Sequence, residues 1–345
     1  MEKESHFDIA LYQTHETEND CDLIFRTNNG RVFYCHLCPS QFIRSPKITE
    51  QYFKCINLFR SGEEYIDDFF LDDAWEWLSA VFEPLIHKFA PSTITLPGNG
   101  PPTLSDYFFA PYFVCTLDAI DDELRPKRLD TQEHGWSDPF IRADKEYLSD
   151  LQQWTQLYQI SDVELRYESP QDVLIKPPSR VVIGHNSDSA GTTCFYKRFE
   201  MSFSLRHARN ELMNLEKITK ARLPPPPDAR VCRLHGVVQG GIGLGGMLFT
   251  WIDQKSVLSQ GLAKESTAEL RRRWARQIKV TLEWLHECGI IWGDVKAQNV
   301  LIDKEDNAWI IDFGGSYTTG WVDEDKAGTL EGDMQGLEKI MEILS

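Results

Sequence analysis

Two short polar motifs, each attached to an apolar strand, constrain the fold of this chain more than any other feature. The first is Asp294-Val-Lys296-Ala-Gln-Asn299, and the apolar run Val-Leu-Ile follows it. A second apolar run, Trp-Ile-Ile, delivers Asp312 into a turn that contains Phe and two glycines. Short apolar runs bounded by turn residues are typical of strands. We therefore expect a β-hairpin that brings two carboxylates and one side-chain amide to the same place.

The residue types in these motifs favour phosphoryl-transfer chemistry. Carboxylate and amide oxygens are ligands suited to Mg²⁺ bound to a triphosphate, and a carboxylate held nearby can orient a hydroxyl nucleophile. This chemistry depends mainly on positioning and on stabilisation of charge. A rigid hairpin that carries these side chains meets both requirements.

The same residues carry a family resemblance. The first motif resembles the catalytic loop of protein kinases, and Asp312-Phe-Gly314 resembles their DFG motif. This resemblance implies an α+β, two-lobed protein-kinase-like fold with a small β-rich lobe and a truncated helical lobe. By it, Asp294 would orient or deprotonate the acceptor hydroxyl, and Lys296 would neutralise the transferring phosphoryl group. Asn299 and Asp312 would hold the magnesium ion.

Segments upstream of the two motifs agree with the resemblance. Lys197 lies on an alternating strand, where the family has its phosphate-binding lysine. The following helix offers Glu211 as the ion-pair partner of this lysine, with Glu216 as the alternative. A later apolar strand resembles the one that enters the adenine-binding hinge, which places the hinge near Trp251 and Asp253. The resemblance thus implies ATP and Mg²⁺ as cofactors.

Two departures from the protein-kinase pattern bear on function. Trp292-Gly293 stands where protein kinases have His-Arg, and Gly-Asp at this point is closer to aminoglycoside phosphotransferases, RIO kinases and lipopolysaccharide kinases. The first two strands of the small lobe are expected near residues 171–175 and 180–184, and the turn between them has no glycine to cover a phosphate. The glycine-containing segment 184–191 is the alternative.

The helical lobe is also short. Gly332-Asp333-Met-Gln-Gly-Leu337 resembles the helix that follows the activation segment of kinases, and eight residues follow it in the chain. We expect a compact acceptor or a short exposed segment of a protein, and a protein partner that completes the lobe is an open alternative.

The N-terminal part of the chain has its own pattern of elements. Residues 22–27 and 31–35 flank an Asn-Gly pair, which predicts a β-hairpin because such turns need a positive φ. Apolar residues at helical spacing predict one strong helix over residues 68–90. A further helix is expected over about residues 144–160.

Three domains are predicted from these patterns. They are an α/β extension over residues 1–130, a linker and helix over 131–160, and a protein-kinase-like domain over 161–345. The charged and turn-rich residues 118–146 are interpreted as linker. The extension as a whole resembles the N-terminal regions of fungal protein-kinase-like proteins, and no motif in it indicates a chemistry.

Two further motifs are given structural interpretations. Gly241-Ile-Gly-Leu-Gly-Gly246 matches a dinucleotide-binding fingerprint, but an apolar strand follows it where that fingerprint opens a helix. We interpret it as a hairpin turn. Cys35-His-Leu-Cys38 is half of a zinc site without a second ligand pair in the sequence, so we interpret it as a buried strand end.

The composition limits the partners. The chain has 53 Asp and Glu against 36 Lys and Arg, and a net charge of −17 repels a nucleic-acid backbone. Its eight cysteines are scattered, which favours reduced thiols. Neither a signal-peptide core nor an apolar run of membrane-spanning length is present in the sequence. We expect a soluble, cytoplasmic protein without nucleic-acid or membrane partners.

These observations predict an ATP-dependent phosphotransferase that moves the γ-phosphate of Mg-ATP to a hydroxyl, with Ser or Thr of a protein as the leading acceptor. Two alternatives stay open. A small-metabolite kinase of the aminoglycoside-phosphotransferase type would fit Gly293-Asp294 and the short helical lobe. A pseudokinase scaffold that binds nucleotide without catalysis would fit the missing glycine loop.

Overall fold

The computed structural model describes residues 6–15, 18–92, 100–136, 139–184, 191–199, 205–221, 223–241, 243–315 and 318–345. The chain divides into two compact units. The first comprises Met1–Ser137 and Glu164–Ser179, and the second comprises Asp138–Val163 and Arg180–Ser345. The predicted domain boundaries at residues 130 and 160 stay predictions. No helix within the described ranges is both long and apolar enough to cross a membrane.

The first unit combines strands and helices. Its elements are β1 (Phe7–Thr14), β2 (Cys21–Thr27), β3 (Val32–Ile43), α1 (Pro46–Ser61), β4 (Tyr65–Ile66), β5 (Phe69–Phe70), α2 (Leu71–Phe89), α3 (Leu104–Phe108), β6 (Tyr112–Ile120) and β7 (Glu123–Arg128). The main sheet has the strand order β1-β2-β3-β6-β7. Only the β3–β6 pair of this sheet is parallel, and α1 and α2 lie in the connection between those two strands.

The core of the first unit follows from strand alternation. Every second residue of β2 is buried, and Leu23, Phe25 and Leu37 are fully shielded from solvent. Ile56 of α1 and Phe82 of α2 belong to the same buried cluster. Helical and strand periodicities thus converge on one apolar layer.

Several predictions for this unit can be compared with the structure. The β-hairpin predicted around Asn-Gly is confirmed, with Asp22 opposite His36 and Gly30 at φ 74°. The strong helix corresponds to α2, but the expectation of only one long helix was wrong, because α1 precedes it. The linker interpretation failed for residues 118–128. Asp121 and Asp122, at φ 53° and 60°, form the turn between β6 and β7.

The second unit contains two further sheets. Strand β10 (Val163–Arg166) crosses the boundary, with Val163 in the second unit and Glu164–Arg166 in the first. The other elements of the second unit are β8 (Ile141–Arg142), α4 (Lys145–Gln152), β9 (Leu157–Gln159), β11 (Arg180–Ile183), β12 (Thr192–Arg198), α5 (Leu205–Ala221), β13 (Leu234–Gly240), β14 (Gly243–Thr250), β15 (Gln254–Val257), α6 (Gln260–Glu265), α7 (Ala268–Glu287), β16 (Val300–Asp303), β17 (Ala308–Ile310) and α8 (Leu330–Leu344).

The sheets of this unit place the two motifs. The larger sheet runs β11-β12-β14-β13-β9, with β8 beside β14, and the smaller runs β15-β16-β17. The predicted hairpin of the two motifs is β16–β17, which pairs Val300 with Ile310. Trp274 and Ile278 of α7 and Ile340 of α8 are buried in the same apolar cluster as this hairpin. The hairpin is therefore anchored on a helical layer.

Two predicted elements differ from the structure. The helix expected over 144–160 ends at Gln152, and Leu157–Gln159 pairs as a strand with β13. The strand expected at 171–175 is absent, because Pro170 opens a 3₁₀ turn there and Leu174 has a positive φ of 59°. Of the alternative glycine-containing segment, residues 185–190 lie outside the described residues.

The glycine-rich segment between β13 and β14 is a hairpin turn, as predicted. Gly240 pairs with Gly243, and the strands are antiparallel. A Cβ on Gly246 would lie 2.5 Å from the carbonyl oxygen of Lys197 and 2.6 Å from the ring of Tyr196. This glycine therefore permits close packing of β14 on β12.

One carboxylate organises the turn between β16 and β17. Asp303 is 7% exposed and accepts hydrogen bonds from the backbone nitrogen of Asn307 at 2.8 Å and from Trp309 Nε1 at 2.7 Å. Burial raises the pKa of Asp303, but the hydrogen bonds from Trp309, Asn307 and Glu305 outweigh it, so the pKa lies below its ordinary value. The ionised form is the one that the fold requires.

Replacing Asp303 with Asn should lower the free energy of unfolding by about 2 kcal/mol at neutral pH, because an amide cannot accept at both positions. The folded-state pKa is depressed, so the stabilisation is complete above the unfolded-state pKa of about 4 and is lost as pH falls through the folded-state pKa. Urea unfolding of the wild type and the variant, repeated as the pH is lowered through these two pKa values, should show the difference between their free energies of unfolding becoming smaller. Glu305→Gln, at an exposed neighbour, is the control, and a pH-independent difference would contradict the assignment.

Candidate active site

Three charged side chains from three elements meet in the second unit. Lys197 of β12 places its Nζ 2.7 Å from Glu211 Oε1 on α5 and 3.0 Å from Asp312 Oδ1, which follows β17. Burial lowers the pKa of Lys197, but the two carboxylates raise it more, so the side chain stays an ammonium. Burial raises the pKa of Glu211, and the contact with Lys197 opposes that shift.

Helix geometry explains why Glu211 rather than Glu216 meets the lysine. Glu211 is 7% exposed, whereas Glu216 pairs with Lys220 one turn further along α5 at 2.6 Å. The two glutamates are five residues apart and do not share a face of the helix. Of the two predicted partners, the structure thus brings Glu211 to Lys197.

A second network surrounds Asp294, which is 3% exposed. Asn299 Nδ2 donates to its Oδ2 at 3.0 Å and to its carbonyl oxygen at 2.8 Å. Lys296 Nζ lies 2.7 Å from the same Oδ2. Thr318 Oγ1 donates to Oδ1 at 2.9 Å and accepts from Lys296 Nζ at 2.9 Å. Thr318 closes the network and carries no motif signal in the sequence.

The turn after β17 is tied to α5 as well. Asp312 has a φ of 61°, and Gly314 N lies 3.3 Å from its Oδ1. Asn214 of α5 donates to the carbonyl oxygen of Phe313 at 3.0 Å, and the Phe313 ring is 1% exposed in the core. Helix α5 therefore holds this turn through Asn214 and, by way of Lys197, through Asp312.

Asp333 of α8 anchors the segment that leads into Asp294. It is 1% exposed and accepts from the backbone nitrogens of Trp292 and Gly293, each at 2.8 Å. His286 Nε2 lies 2.8 Å from the same carboxylate. Backbone donors that are buried need a partner, and a single carboxylate satisfies two of them here. In the sequence, Asp333 belongs to the segment that resembles the helix after the activation segment of kinases, and this position is the signal that could have pointed to it.

Trp251 and Asp253 are not brought to either network. They lie between β14 and β15, where the guanidinium of Arg180 sits 5.0 Å from the Trp251 ring centroid. Asp253 pairs with Lys304 at 2.9 Å, and its side chain is 59% exposed. Their assignment to the adenine-binding hinge stays a prediction.

The donor set fits a magnesium ion. Asn299 commits its Nδ2 to Asp294, which leaves its Oδ1 as a metal ligand, and Asp312 offers carboxylate oxygens. Ile311 N donates to the carbonyl oxygen of Asn299 at 3.1 Å, so the residue before Asp312 is paired with Asn299. Oxygen ligands of this kind suit Mg²⁺.

Comparisons with known proteins agree with this geometry. The family described as protein kinase domain matches residues 238–329. Serine/threonine-protein kinase PKH3 of Eremothecium gossypii is 35% identical over 99 residues, which are 25% of this chain and 14% of that protein. The 3-phosphoinositide-dependent protein kinase 1 of Arabidopsis thaliana is 27% identical over 141 residues, 39% of this chain and 26% of that protein. These matches support membership of the protein-kinase-like superfamily on the residues that they cover.

This protein-kinase-like chain shares only part of its length with those relatives. The CBL-interacting serine/threonine-protein kinase 7 of Arabidopsis thaliana, for example, is 40% identical over 70 residues, 20% of this chain and 14% of that protein. The family match includes Asp294, Lys296, Asn299 and Asp312, whereas Lys197 precedes it. The membership therefore rests on the segment that contains both motifs.

The glycine before Asp294 has a structural reason. Gly293 has a φ of 88°, a conformation that side chains other than glycine rarely adopt. A Cβ at this position would also lie 3.2 Å from the Cα of Gly315. The arginine that protein kinases carry here would be strained in this kinase-like backbone.

A second glycine lets α8 approach the loop that carries Asp294. A Cβ on Gly336 would lie 2.6 Å from Val295 Cβ and 2.8 Å from the carbonyl oxygen of Val295. Val295 stands between Asp294 and Lys296, and it is 1% exposed. The separation between α8 and the loop is thus set by the absence of a side chain.

Gly336→Ala should destabilise the protein by about 1–3 kcal/mol, because the added methyl overlaps Val295. Alanine is otherwise better than glycine in a helix by about 1 kcal/mol. The matched control is Gly261→Ala in α6, where the nearest atom to a new Cβ is Ser259 Oγ at 3.8 Å. Thermal unfolding should show a lower melting temperature for Gly336→Ala and no decrease for Gly261→Ala. Equal decreases in the two variants would contradict the close contact at Gly336.

Proposed function

We propose that this protein is an ATP-dependent phosphotransferase of the protein-kinase type that transfers the γ-phosphate of Mg-ATP to Ser or Thr of a protein. The observation that carries the proposal is the contact of Lys197 with both Glu211 and Asp312. In protein kinases the lysine–glutamate pair and the metal-binding aspartate must both be in place for transfer. The names of the relatives, which are those of serine/threonine-protein kinases, favour a protein acceptor.

Each side chain has a role in the proposed mechanism. Lys197, braced by Glu211, would bind the α- and β-phosphates, and Asn299 and Asp312 would hold Mg²⁺. Bound Mg-ATP supplies the phosphoryl group and neutralises part of its charge. Asp294 would orient the acceptor hydroxyl and accept its proton.

Lys296 and Thr318 would keep this base in position. Lys296 would also place positive charge beside the transferring group, as its 2.7 Å contact with Asp294 Oδ2 allows. Thr318 donates to Asp294 Oδ1, so both carboxylate oxygens are oriented before an acceptor arrives. Such preorganisation removes reorganisation from the reaction step.

One observation supports a second candidate function. The chain has no glycine from residue 164 to residue 183, around the second strand of the small lobe, where kinases have a flexible phosphate-covering loop. Without such a loop the protein could bind nucleotide and act as a scaffold that does not turn over. Catalysis and nucleotide binding must therefore be measured separately.

ADP release from Mg-ATP should fall by about 10- to 100-fold in Glu211→Gln, because one charge-assisted hydrogen bond to Lys197 is lost. Glu216→Gln is the matched control on the same helix and should match the wild type.

Asp294→Asn should lower kcat by at least about 100-fold while nucleotide binding, measured by thermal stabilisation, persists. Binding without ADP release in the wild type would instead establish the scaffold.

The acceptor can be identified in the same preparation. Intact mass and phosphoamino-acid analysis after incubation with Mg-ATP and a mixed peptide library should show phosphoserine or phosphothreonine that is absent in Asp312→Asn. The ionised Asp312 is needed for the metal, so the amide variant tests the metal role without changing size. ADP release without any protein phosphorylation, together with phosphorylation of an aminoglycoside or another small hydroxyl compound, would contradict the protein acceptor.

A further inference from the structure

A second cluster of polar side chains lies in the first unit, on one face of the β2–β3 hairpin. Residues two apart on a strand share a face, and cross-strand pairing sets Asp22 opposite His36. The next alternate positions, Asp20 just before β2 and Cys38 on β3, fall on the same face. Cys35 lies on the other face and is 1% exposed in the core. The two cysteines of the Cys-x-x-Cys motif therefore do not point to one site.

The atoms of this cluster have the spacing of metal ligands. One ligand atom each from Asp20, His36 and Cys38 lie within 4.8 Å of one another. His36 Nε2 is 3.5 Å from Asp20 Oδ2, longer than an ordinary N–H···O hydrogen bond. Two nitrogen or oxygen ligands at about 2.1 Å from a tetrahedral zinc ion lie roughly 3.4 Å apart, so the observed separation matches an edge of that tetrahedron.

The histidine is oriented by a second carboxylate. His36 Nδ1 lies 2.8 Å from Asp22 Oδ1, and the other oxygen of Asp22 lies 2.9 Å from His15 Nε2. The other ring nitrogen, Nε2, faces Asp20 Oδ2 at 3.5 Å, so a cation between these two atoms would be bound by both. Histidines that bind zinc commonly donate their other ring nitrogen to a carboxylate in this way.

We propose that Asp20, His36 and Cys38 bind a Zn²⁺ ion, with Asp22 as the residue that positions His36. A thiolate and an imidazole select zinc over Mg²⁺ or Ca²⁺, which prefer oxygen ligands. Cys38 forms no disulfide, its Sγ lies 2.8 Å from Ser40 Oγ, and it is partly exposed, while the His36 side chain is 44% exposed, so an ion reaches both from solvent. Three protein ligands leave the fourth tetrahedral position for water or for a group from another molecule.

Cobalt substitution tests the ligand set directly. The full-length chain, stripped with a chelator and held in excess Mg²⁺, should bind one equivalent of Co²⁺ and show thiolate-to-cobalt charge transfer and tetrahedral d–d bands that Zn²⁺ displaces. Cys38→Ser should abolish the charge-transfer band and lower Zn²⁺ affinity by at least about 10-fold. Asp22→Asn should lower the affinity by about 10- to 100-fold and keep the band. Cys288→Ser, at an exposed cysteine of the second unit, is the control and should change neither.

The remaining outcomes overturn the proposal. A wild-type chain without the charge-transfer band has no thiolate-bound metal, and a band that survives Cys38→Ser belongs to other cysteines. Unchanged Zn²⁺ affinity in His36→Gln means that the ring does not bind the ion. If circular dichroism shows that a variant does not fold, X-ray absorption of the zinc-loaded wild type tests the ligand set instead. It should show one sulfur and a remainder of nitrogen and oxygen, and any other sulfur count contradicts the site.

Discussion

A single buried carboxylate, that of Asp333, joins the helical layer of the second unit to the loop that carries Asp294. It accepts from two consecutive backbone nitrogens and lies against His286, so α7, α8 and the loop meet at one side chain. A buried polar group that loses its hydrogen-bond partner costs about 1–3 kcal/mol, so these contacts are not easily broken one at a time. The loop therefore cannot move as a free segment while this carboxylate stays buried, and the position of Asp294 inherits its rigidity.

The contacts around Lys197 differ from those of Asp333, because one of the two carboxylates that this lysine meets is partly exposed to solvent. One ammonium lies against both Glu211 and Asp312, and Asp312 is 36% exposed at its side chain. A divalent cation that binds Asp312 would replace this ammonium as its counter-charge and free the lysine to meet phosphate oxygens. The arrangement is therefore compatible with the proposed binding of Mg-ATP, a ligand that carries both a metal ion and phosphates. It also explains why the lysine stays charged despite its burial.

Local patterns predicted the parts of the site that are close in sequence. The β16–β17 hairpin and its polar ends could be predicted from apolar runs, and Glu211 from the family resemblance, with Glu216 as the alternative. Thr318 and the anchoring role of Asp333 could not, because their contacts depend on tertiary packing of segments 24 to 41 residues away. The β6–β7 hairpin was missed because two aspartates in left-handed turn conformations look like linker in a charged sequence. The Cys-x-x-Cys motif was interpreted as a buried strand end, and in the structure Cys35 is buried while Cys38 is partly exposed, because strand alternation places the two thiols on opposite faces.

The interleaving of the two units has a consequence for how the chain folds as it is synthesised. The first unit includes Glu164–Ser179, and Arg26 donates to the carbonyl oxygen of Leu174, 148 residues later. Strand β9 is synthesised before that segment but pairs with β13, which is synthesised after it. Leu157 of β9 lies opposite Val237 of β13, 80 residues later in the chain. Neither unit is complete when its first residues leave the ribosome, so both expose unpaired strand edges during translation. Cutting the chain at one point between the units leaves each fragment without strands or loops that the other carries.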